Sequence, residues 1–187
     1  MNKQSLISKK EKQQVFNQLW NESKWTELRE FLFKWLNEDP DNHWILLHIA
    51  EANYQEKQFD QALEYAEKAF KFAPRCPLAM WEYGETLDRI GRHEEAAFLY
   101  KRLIRKGINR VAYGECGEGI RWARMIINDS YYVLGVIYAG KDEFTIAERY
   151  IKKYISNRKC KYESRFNLRE AKKNLAQILQ SKNPRDY

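Results

Sequence analysis

The sequence predicts an all-α fold, a solenoid built from antiparallel helix pairs. Two observations predict this fold. Pro40 and Pro74 stand 34 residues apart, and Ala62 and Ala96 follow the same spacing. A fixed period of this length is typical of a helix–turn–helix unit that stacks on copies of itself. Apolar residues also recur at helical spacing through residues 59–70, and strand-like alternation of Val, Ile and Thr is missing from the sequence.

The repeats can be placed in order along the chain. Four units fit the period, at residues 9–42, 43–76, 77–110 and 128–161. The step from Ala96 to Ala147 is 51 residues, which is one period plus 17, so an insertion is expected at residues 111–127. All of residues 1–187 are expected to form one domain, because the length suits a single core and the chain is poor in Gly and Pro.

Individual residues justify the helix pairs. Small residues at matching places in three first helices, Ala50, Gly84 and Gly135, let neighbouring helices approach closely. Pro40 and Pro74 end the second helices, because proline lacks a backbone donor and disfavours helix in the residue before it. After the fourth unit, apolar residues at helical spacing predict a further helix at about residues 162–180. A helix with a polar outer side is what the end of a solenoid needs.

The insertion is predicted to contain a loop and a long helix. Glycines at 114, 117 and 119 indicate a loop over residues 107–119. Helical periodicity resumes near Glu118 and continues to Tyr138, a length of about 31 Å at roughly 1.5 Å per residue. Long structured loops on regular folds often carry function. Two interpretations stay open: the loop covers a binding surface, or it fills irregular stacking.

The second and third repeats resemble the tetratricopeptide repeat family. The residues that carry the resemblance are Leu46, Ile49, Ala50, Ala62, Ala69 and Pro74, followed by Met80, Tyr83, Gly84, Ala96, Tyr100 and Leu103. The match covers roughly residues 9–161 and is weaker in the first and fourth repeats, where Leu28 and Lys159 depart from the usual Ala and Pro. It implies a right-handed superhelical solenoid with a C-terminal capping helix, and a concave groove lined by the first helix of each repeat.

By this resemblance, the protein is expected to be an interaction module or scaffold that binds a peptide or helix of a partner protein. The groove positions implied are Trp44, Leu47, Glu51, Tyr54, Trp81, Glu85, Asp88 and Tyr132. Aromatic anchors beside carboxylates are typical of a binding hot spot. The alternative interpretation places Trp44 and Trp81 in buried positions. The basic residues with which chaperone-binding members hold a C-terminal carboxylate are absent, because Gln13, His48, Leu78 and Glu82 stand in their places.

Charge suggests an alternative function. The net charge of +7 is uneven, since residues 1–76 carry −1 and residues 77–187 carry +8. A basic patch at Arg149, Lys152, Lys153 and Lys159 is the alternative site, and its partner would be RNA or DNA. Basic residues near helix C-termini are also favourable for the helix dipole alone. The oligomeric state stays open.

Catalytic chemistry is not indicated. The three cysteines, Cys76, Cys116 and Cys160, lie far apart in sequence and predict no disulfide framework. Cys116 is the one candidate nucleophile, but the histidines fall in other repeats. We therefore expect no enzyme activity, no metal and no cofactor. The N-terminal residues do not resemble a signal peptide, and apolar runs are too short to span a bilayer. A cytoplasmic protein is expected.

Overall fold

A computed structural model describes residues 8–182; the prediction about the N-terminal segment falls partly on residues 1–7, outside that range. The chain divides into two compact units, an N-terminal unit that ends at Pro74 and a C-terminal unit that begins at Arg75. The described residues form nine helices: α1 Lys9–Asn21, α2 Trp25–Leu36, α3 His43–Gln55, α4 Phe59–Phe72, α5 Pro77–Arg89, α6 His93–Tyr113, α7 Ile120–Ala139, α8 Phe144–Lys159 and α9 Leu168–Lys182.

In the N-terminal unit, α1 packs on α2, α2 on α3 and α3 on α4. The first helices of its two repeats begin at capped residues. Ser8 and Glu11 form a capping box at the start of α1, and the side chain of Asn42 accepts a hydrogen bond from Trp44 N at 3.0 Å. One cluster of the buried core contains Phe16, Leu28, Leu32, Ile45 and Ile49, with further aromatic side chains packed against it.

In the C-terminal unit, each helix from α5 to α8 packs on the next, and α9 packs on α8 and α7. Pro77 is the first residue of α5, where its missing N–H leaves no helical bond unmade. Gly135 lets α7 and α8 approach closely, since a Cβ there would lie 2.4 Å from Cδ1 of Ile151. Tyr100, Leu103, Leu134 and Tyr154 are among the buried side chains.

The repeat period is visible in the backbone as well as in the core. The small or apolar residue in the second helix is fully buried in all four repeats, at Leu28, Ala62, Ala96 and Ala147. The turn between the two helices of each repeat contains one left-handed residue at an equivalent place. These residues are Ser23, Lys57, Gly91 and Asp142, with φ of 53°, 62°, 83° and 59°.

The predicted all-α helical repeat fold is confirmed, whereas two element boundaries are wrong. The loop expected at 107–119 is mostly helical, because α6 continues to Tyr113 after a break at Gly107, so only 114–119 is loop. The last helix begins at Leu168 instead of 162. Residues 160–167, here called the connector, therefore join α8 to α9 without regular structure. Among residues 8–182, no helix combines the length and apolarity that crossing a membrane requires.

Candidate functional site

The connector lies on the first helices of the two repeats in the C-terminal unit. Its Arg165 reaches α5 and forms a two-pronged ion pair with Glu85. Nη1 donates to Oε2 and Nη2 donates to Oε1, both at 2.9 Å. The side chain of Glu85 is 17% exposed and that of Arg165 is 37% exposed. Such a bidentate pair is stronger and more directional than an ordinary salt bridge.

Two further contacts hold Arg165 on this surface. Its guanidinium lies over the indole of Trp81, with Cζ 5.5 Å from the ring centroid. Its backbone N–H donates to Oδ2 of Asp129 on α7 at 3.0 Å. A cation over an indole is the best geometry of its class, and the attraction grows as water is excluded. Arg165 thus links α5 and α7 through both its side chain and its backbone.

The neighbouring Phe166 completes the contact with α7. Its ring stacks on Tyr132, with centroids 4.5 Å apart and planes inclined by 28°. Tyr154 on α8 donates its phenolic hydrogen to the carbonyl of Phe166 at 2.8 Å and also meets Oγ of Ser164 at 2.8 Å. Asn174 on α9 donates to the hydroxyl of Tyr132 at 3.1 Å. Every element from α7 to α9 therefore contributes a side chain to the position of Phe166.

The earlier part of the connector is held by three arginines. Arg158 donates to the carbonyl of Tyr162, and the guanidinium of Arg124 lies 5.3 Å from the centroid of the Tyr162 ring. Arg121 pairs with Glu163 at 2.5 Å on an exposed surface. Exposed pairs contribute little stability. The strong contacts of the connector are therefore concentrated at residues 164–166.

Burial changes the chemistry of the surface beneath the connector. Asp129 is fully buried, and desolvation raises its pKa to about 6, although hydrogen bonds from Ser164 and Arg165 oppose the rise. Its Oδ1 has no hydrogen-bond partner among residues 8–182, and neither has Nε1 of the buried Trp81. The hydrogen-bonding capacity of these two buried atoms is therefore unused by the described residues.

The first helices of the N-terminal unit present a different surface. The Trp44 ring packs against Phe16, Trp35 and His48, with centroid separations of 4.8, 5.6 and 4.2 Å. His48 also contacts Phe16 and the ring of Trp20. Burial among these rings lowers the pKa of His48 to about 3, so the imidazole is neutral at neutral pH. This surface is an aromatic cluster that surrounds one uncharged histidine.

The predicted groove residues differ in accessibility. Exposure in the groove was expected of Trp81, and that expectation is wrong, because its side chain is 2% exposed; Leu47 is buried as well, at 1%. Both lie in the core, since apolar side chains this large gain most by leaving water. Glu51 and Tyr132 are also largely buried, whereas Trp44, Tyr54, Glu85 and Asp88 are half-buried.

The structure brings three of these groove residues together. Trp81, Glu85 and Tyr132 surround the connector, whereas Asp88 contacts His93, with Oδ1 2.8 Å from Nδ1. The reasoning from sequence missed Asp129 and Arg165. A signal for Asp129 was its apolar surroundings on α7, since a carboxylate there requires a partner. Partner binding by the groove residues stays a prediction.

The alternative basic patch lies on α8. Its four residues, Arg149, Lys152, Lys153 and Lys159, are all exposed. At 3.6 residues per turn they fall within an arc of about 120° around the helix. Lys152 is engaged with Glu148 at 2.5 Å, and Glu148 also accepts from Lys182 of α9 at 2.8 Å. The patch therefore forms one surface, although a carboxylate neutralises part of it.

Two cysteines that are far apart in sequence meet in the C-terminal unit. The Sγ atoms of Cys76 and Cys116 lie within 4.8 Å of each other. Cys76 precedes α5 and is buried, and burial raises the pKa of its thiol to about 12. Cys116 lies in the 114–119 loop with a left-handed φ of 57°. The thiol of Cys76 is therefore protonated at neutral pH, which disfavours it as a nucleophile.

Comparisons with known proteins agree with the repeats. Residues 45–76 match a tetratricopeptide repeat model. No curated protein has a matching sequence. Among solved structures, a MamA protein superposes with a TM-score of 0.71 at 18% identity, over 94% of this chain and 82% of that one. A fragment of MamA from Desulfovibrio magneticus RS-1 has a TM-score of 0.64 at 13% identity, over 94% and 96% of the two chains.

A third similar structure is BtubC (BKLC) from P. vanneervenii. Its TM-score is 0.70 at 14% identity, over 93% of this chain and 72% of that one. Identities this low establish a shared fold and nothing about partners. Together with the sequence match at 45–76, they confirm the predicted tetratricopeptide resemblance.

Proposed function

We propose that this tetratricopeptide repeat protein is an interaction module, and that it binds segments of partner proteins on the first helices of its repeats. One observation carries the proposal. The C-terminal unit already holds a segment without regular structure on α5 and α7, through the ion pair of Arg165 with Glu85 and the ring stack of Phe166 on Tyr132. A surface that binds a segment of its own chain has the groups required to bind one from another protein.

The chemistry of this surface favours a basic partner segment. Glu85 and Asp129 supply carboxylates, and Trp81 and Tyr132 supply ring faces. A carboxylate beside an indole selects a cation, and it selects arginine above lysine where two parallel hydrogen bonds form. The amide and carbonyl groups of an extended segment add main-chain hydrogen bonds.

The N-terminal unit belongs to the proposal through α3. Its half-buried Trp44 and Tyr54 expose part of their rings, and Glu51 accepts a hydrogen bond from Gln55 at 2.6 Å. Leu47 would support the surface from below, since it is fully buried. A partner helix would contact the exposed ring edges with its apolar side.

An affinity capture from lysate of the source cells tests the proposal. The wild-type protein is compared with Glu85→Gln, which loses the charge at the centre of the surface, and with Glu115→Gln, which loses an exposed charge in the loop. We expect a protein partner that survives nuclease, is lost with Glu85→Gln and is kept with Glu115→Gln. Recovery of nucleic acid alone, or equal recovery by all three proteins, would contradict the proposal.

Binding of nucleic acid is the second candidate function, and the exposed arc of basic residues on α8 favours it. Phosphate contacts release counterions, so the affinity would fall steeply as salt rises. The test is titration of a labelled RNA or DNA duplex at two salt concentrations, with a Lys152→Glu/Lys153→Glu variant. Salt-dependent binding that the variant loses supports this candidate, and binding that the variant keeps excludes the α8 patch.

A further inference from the structure

We infer that the C-terminal unit recognises an arginine followed by an aromatic residue in a partner, and that Arg165 and Phe166 compete with that partner as a built-in ligand. The inference rests on the proposed function and specifies its ligand. The inference depends on two adjacent positions on this surface, of which one fits a guanidinium and the other fits an aromatic ring.

The place for the guanidinium is defined on two sides. Glu85 faces it with both carboxylate oxygens, and the ring centroid of Trp81 lies 5.5 Å from its Cζ. An ammonium group cannot make two parallel hydrogen bonds to one carboxylate in this way. The geometry therefore discriminates between arginine and lysine at this position.

The place for the ring follows at the next residue. Tyr132 offers a nearly parallel face at 4.5 Å, and Tyr154 fixes the backbone carbonyl of the aromatic residue by a hydrogen bond of 2.8 Å. Asp129 binds the backbone N–H of the arginine at 3.0 Å. Because two of these contacts go to the backbone, they are available to any segment that carries the two side chains in this order.

The connector is suited to reversible displacement. It has no regular structure of its own, and the Arg165 side chain is partly open to solvent. The buried Oδ1 of Asp129 and Nε1 of Trp81 have no hydrogen-bond partner among the described residues. A tethered competitor has an effective concentration of the order of millimolar, which weakens the apparent affinity for a partner segment.

The probe for the test is a labelled peptide with the sequence of residues 161–168, which contains the Arg–Phe pair. Its affinity is measured for the wild type and for an Arg165→Ala/Phe166→Ala variant, in which the competing side chains are removed. We expect binding to the variant to be about tenfold tighter or more, because the tethered competitor is gone. The matched control, Arg169→Ala/Leu179→Ala, removes an exposed arginine and an exposed apolar residue from α9 and should bind like the wild type.

Specificity is tested in the same assay. Adding Glu85→Gln to the Arg165→Ala/Phe166→Ala variant should weaken the peptide affinity about fivefold, since the charge-assisted fork is lost. A peptide with the Arg165→Lys change and a peptide with the Phe166→Ala change should each bind more weakly than the parent peptide. Equal affinity of the variant and the wild type, or indifference to Glu85→Gln or to lysine, would overturn the inference.

Folding of the variant is checked by circular dichroism. If the variant does not fold, a second measurement on the wild-type protein tests the inference. Wild-type protein is titrated with the peptide at millimolar concentration, and amide hydrogen exchange is followed at residues 162–167. Faster exchange there supports displacement, and no bound peptide or unchanged exchange overturns it.

The proposed function and this inference can fail separately. If a partner captured through Glu85 is not released by the peptide, the protein is still an interaction module, but the inferred specificity for arginine followed by an aromatic residue is wrong. Release of that partner by the peptide, but not by its Arg165→Lys form, supports the specificity.

Discussion

On the first helices of the N-terminal unit, aromatic rings contact one another, whereas on those of the C-terminal unit they contact a segment of chain that carries charge. Trp44 meets Phe16 and His48, and Tyr132 meets Phe166 of the connector. Both sets of helices follow the same repeat period. The repeat therefore determines where a surface lies, and the residues displayed there determine whether it becomes core or a place for a ligand.

The largest effect is expected from the closest helix contact of the C-terminal unit. Gly135→Val would place a branched side chain where even a Cβ alone would lie 2.4 Å from Cδ1 of Ile151. Overpacking of this kind should lower the free energy of unfolding by about 2–3 kcal/mol. The measurement is urea denaturation followed by circular dichroism.

A control within the same helix pair and a counterpart in the other unit sharpen that result. Gly140→Ala meets only ordinary contacts and should leave stability unchanged or slightly raised. Ala50→Gly makes the equivalent position of the N-terminal unit resemble Gly135 and should cost about 1 kcal/mol through helix propensity. Equal stability of Gly135→Val and wild type would show that α7 and α8 are not close-packed.

One buried group in each unit, His48 and Asp129, should make stability respond to pH in opposite directions. His48 has a pKa near 3 in the folded protein and about 6.5 when unfolded, so the unfolded chain binds the proton and stability falls between pH 6.5 and pH 3. Asp129 has a pKa near 6 in the folded protein and about 3.9 when unfolded. The folded protein therefore binds the proton more tightly, and the free energy of unfolding rises as pH falls from 6 to 4.

Two variants separate these contributions. Asp129→Asn should raise the free energy of unfolding by about 1–2 kcal/mol at pH 7, because no charge is then buried, and the gain should shrink towards pH 4. His48→Phe should reduce the loss of stability below pH 6.5. The measurement is denaturation at several pH values, and parallel pH profiles for wild type and either variant would count against the assignment.

Two arginine–glutamate pairs, one in each unit, should show a smaller effect. Arg29 in the N-terminal unit bonds Glu56, Asn53 and Gln58, and it is less exposed than Arg165 in the C-terminal unit. Double-mutant cycles should give a coupling of about 1–2 kcal/mol for Arg29 with Glu56.

The matching cycle for Arg165 with Glu85 should give about 1 kcal/mol or less, since solvent screens that pair. A connector contact of this strength can be displaced by a partner. A stronger coupling for Arg165 than for Arg29 would reverse the comparison and indicate a fixed connector.

The smallest expected effect concerns the turns. Lys57 has the left-handed φ that Gly91 adopts without strain, so Lys57→Gly should stabilise the protein by about 0.5–1 kcal/mol. Asp142→Gly should stabilise the protein less than Lys57→Gly, because aspartate tolerates this conformation better than lysine. Thermal unfolding measures both, and destabilisation by Lys57→Gly would mean that its side chain contributes more than its backbone costs.

Most of the fold was predictable because helical repeats depend on local pattern. The 34-residue period and the small residues at equivalent places predicted the helix pairs, and Ala62 and Ala96 are buried as the pattern requires. The connector was not predictable in this way. Residues 162–167 include Tyr, Ser, Phe and Asn, which are weak helix formers, and the contacts of Arg165 with residues 36 and 80 positions earlier stabilise an irregular conformation.

The helices, their order and the repeat follow from local sequence, because periodicity and helix ends act over short distances along the chain. The burial of Trp81, the meeting of Cys76 with Cys116 and the position of Arg165 on α5 and α7 depend on tertiary packing. Burial and pairing are properties of residues distant in sequence, so a local pattern does not contain them. The proposed ligand, an arginine followed by an aromatic residue, could therefore be inferred only from the contacts of the folded connector, although Arg165 and Phe166 are adjacent in the sequence.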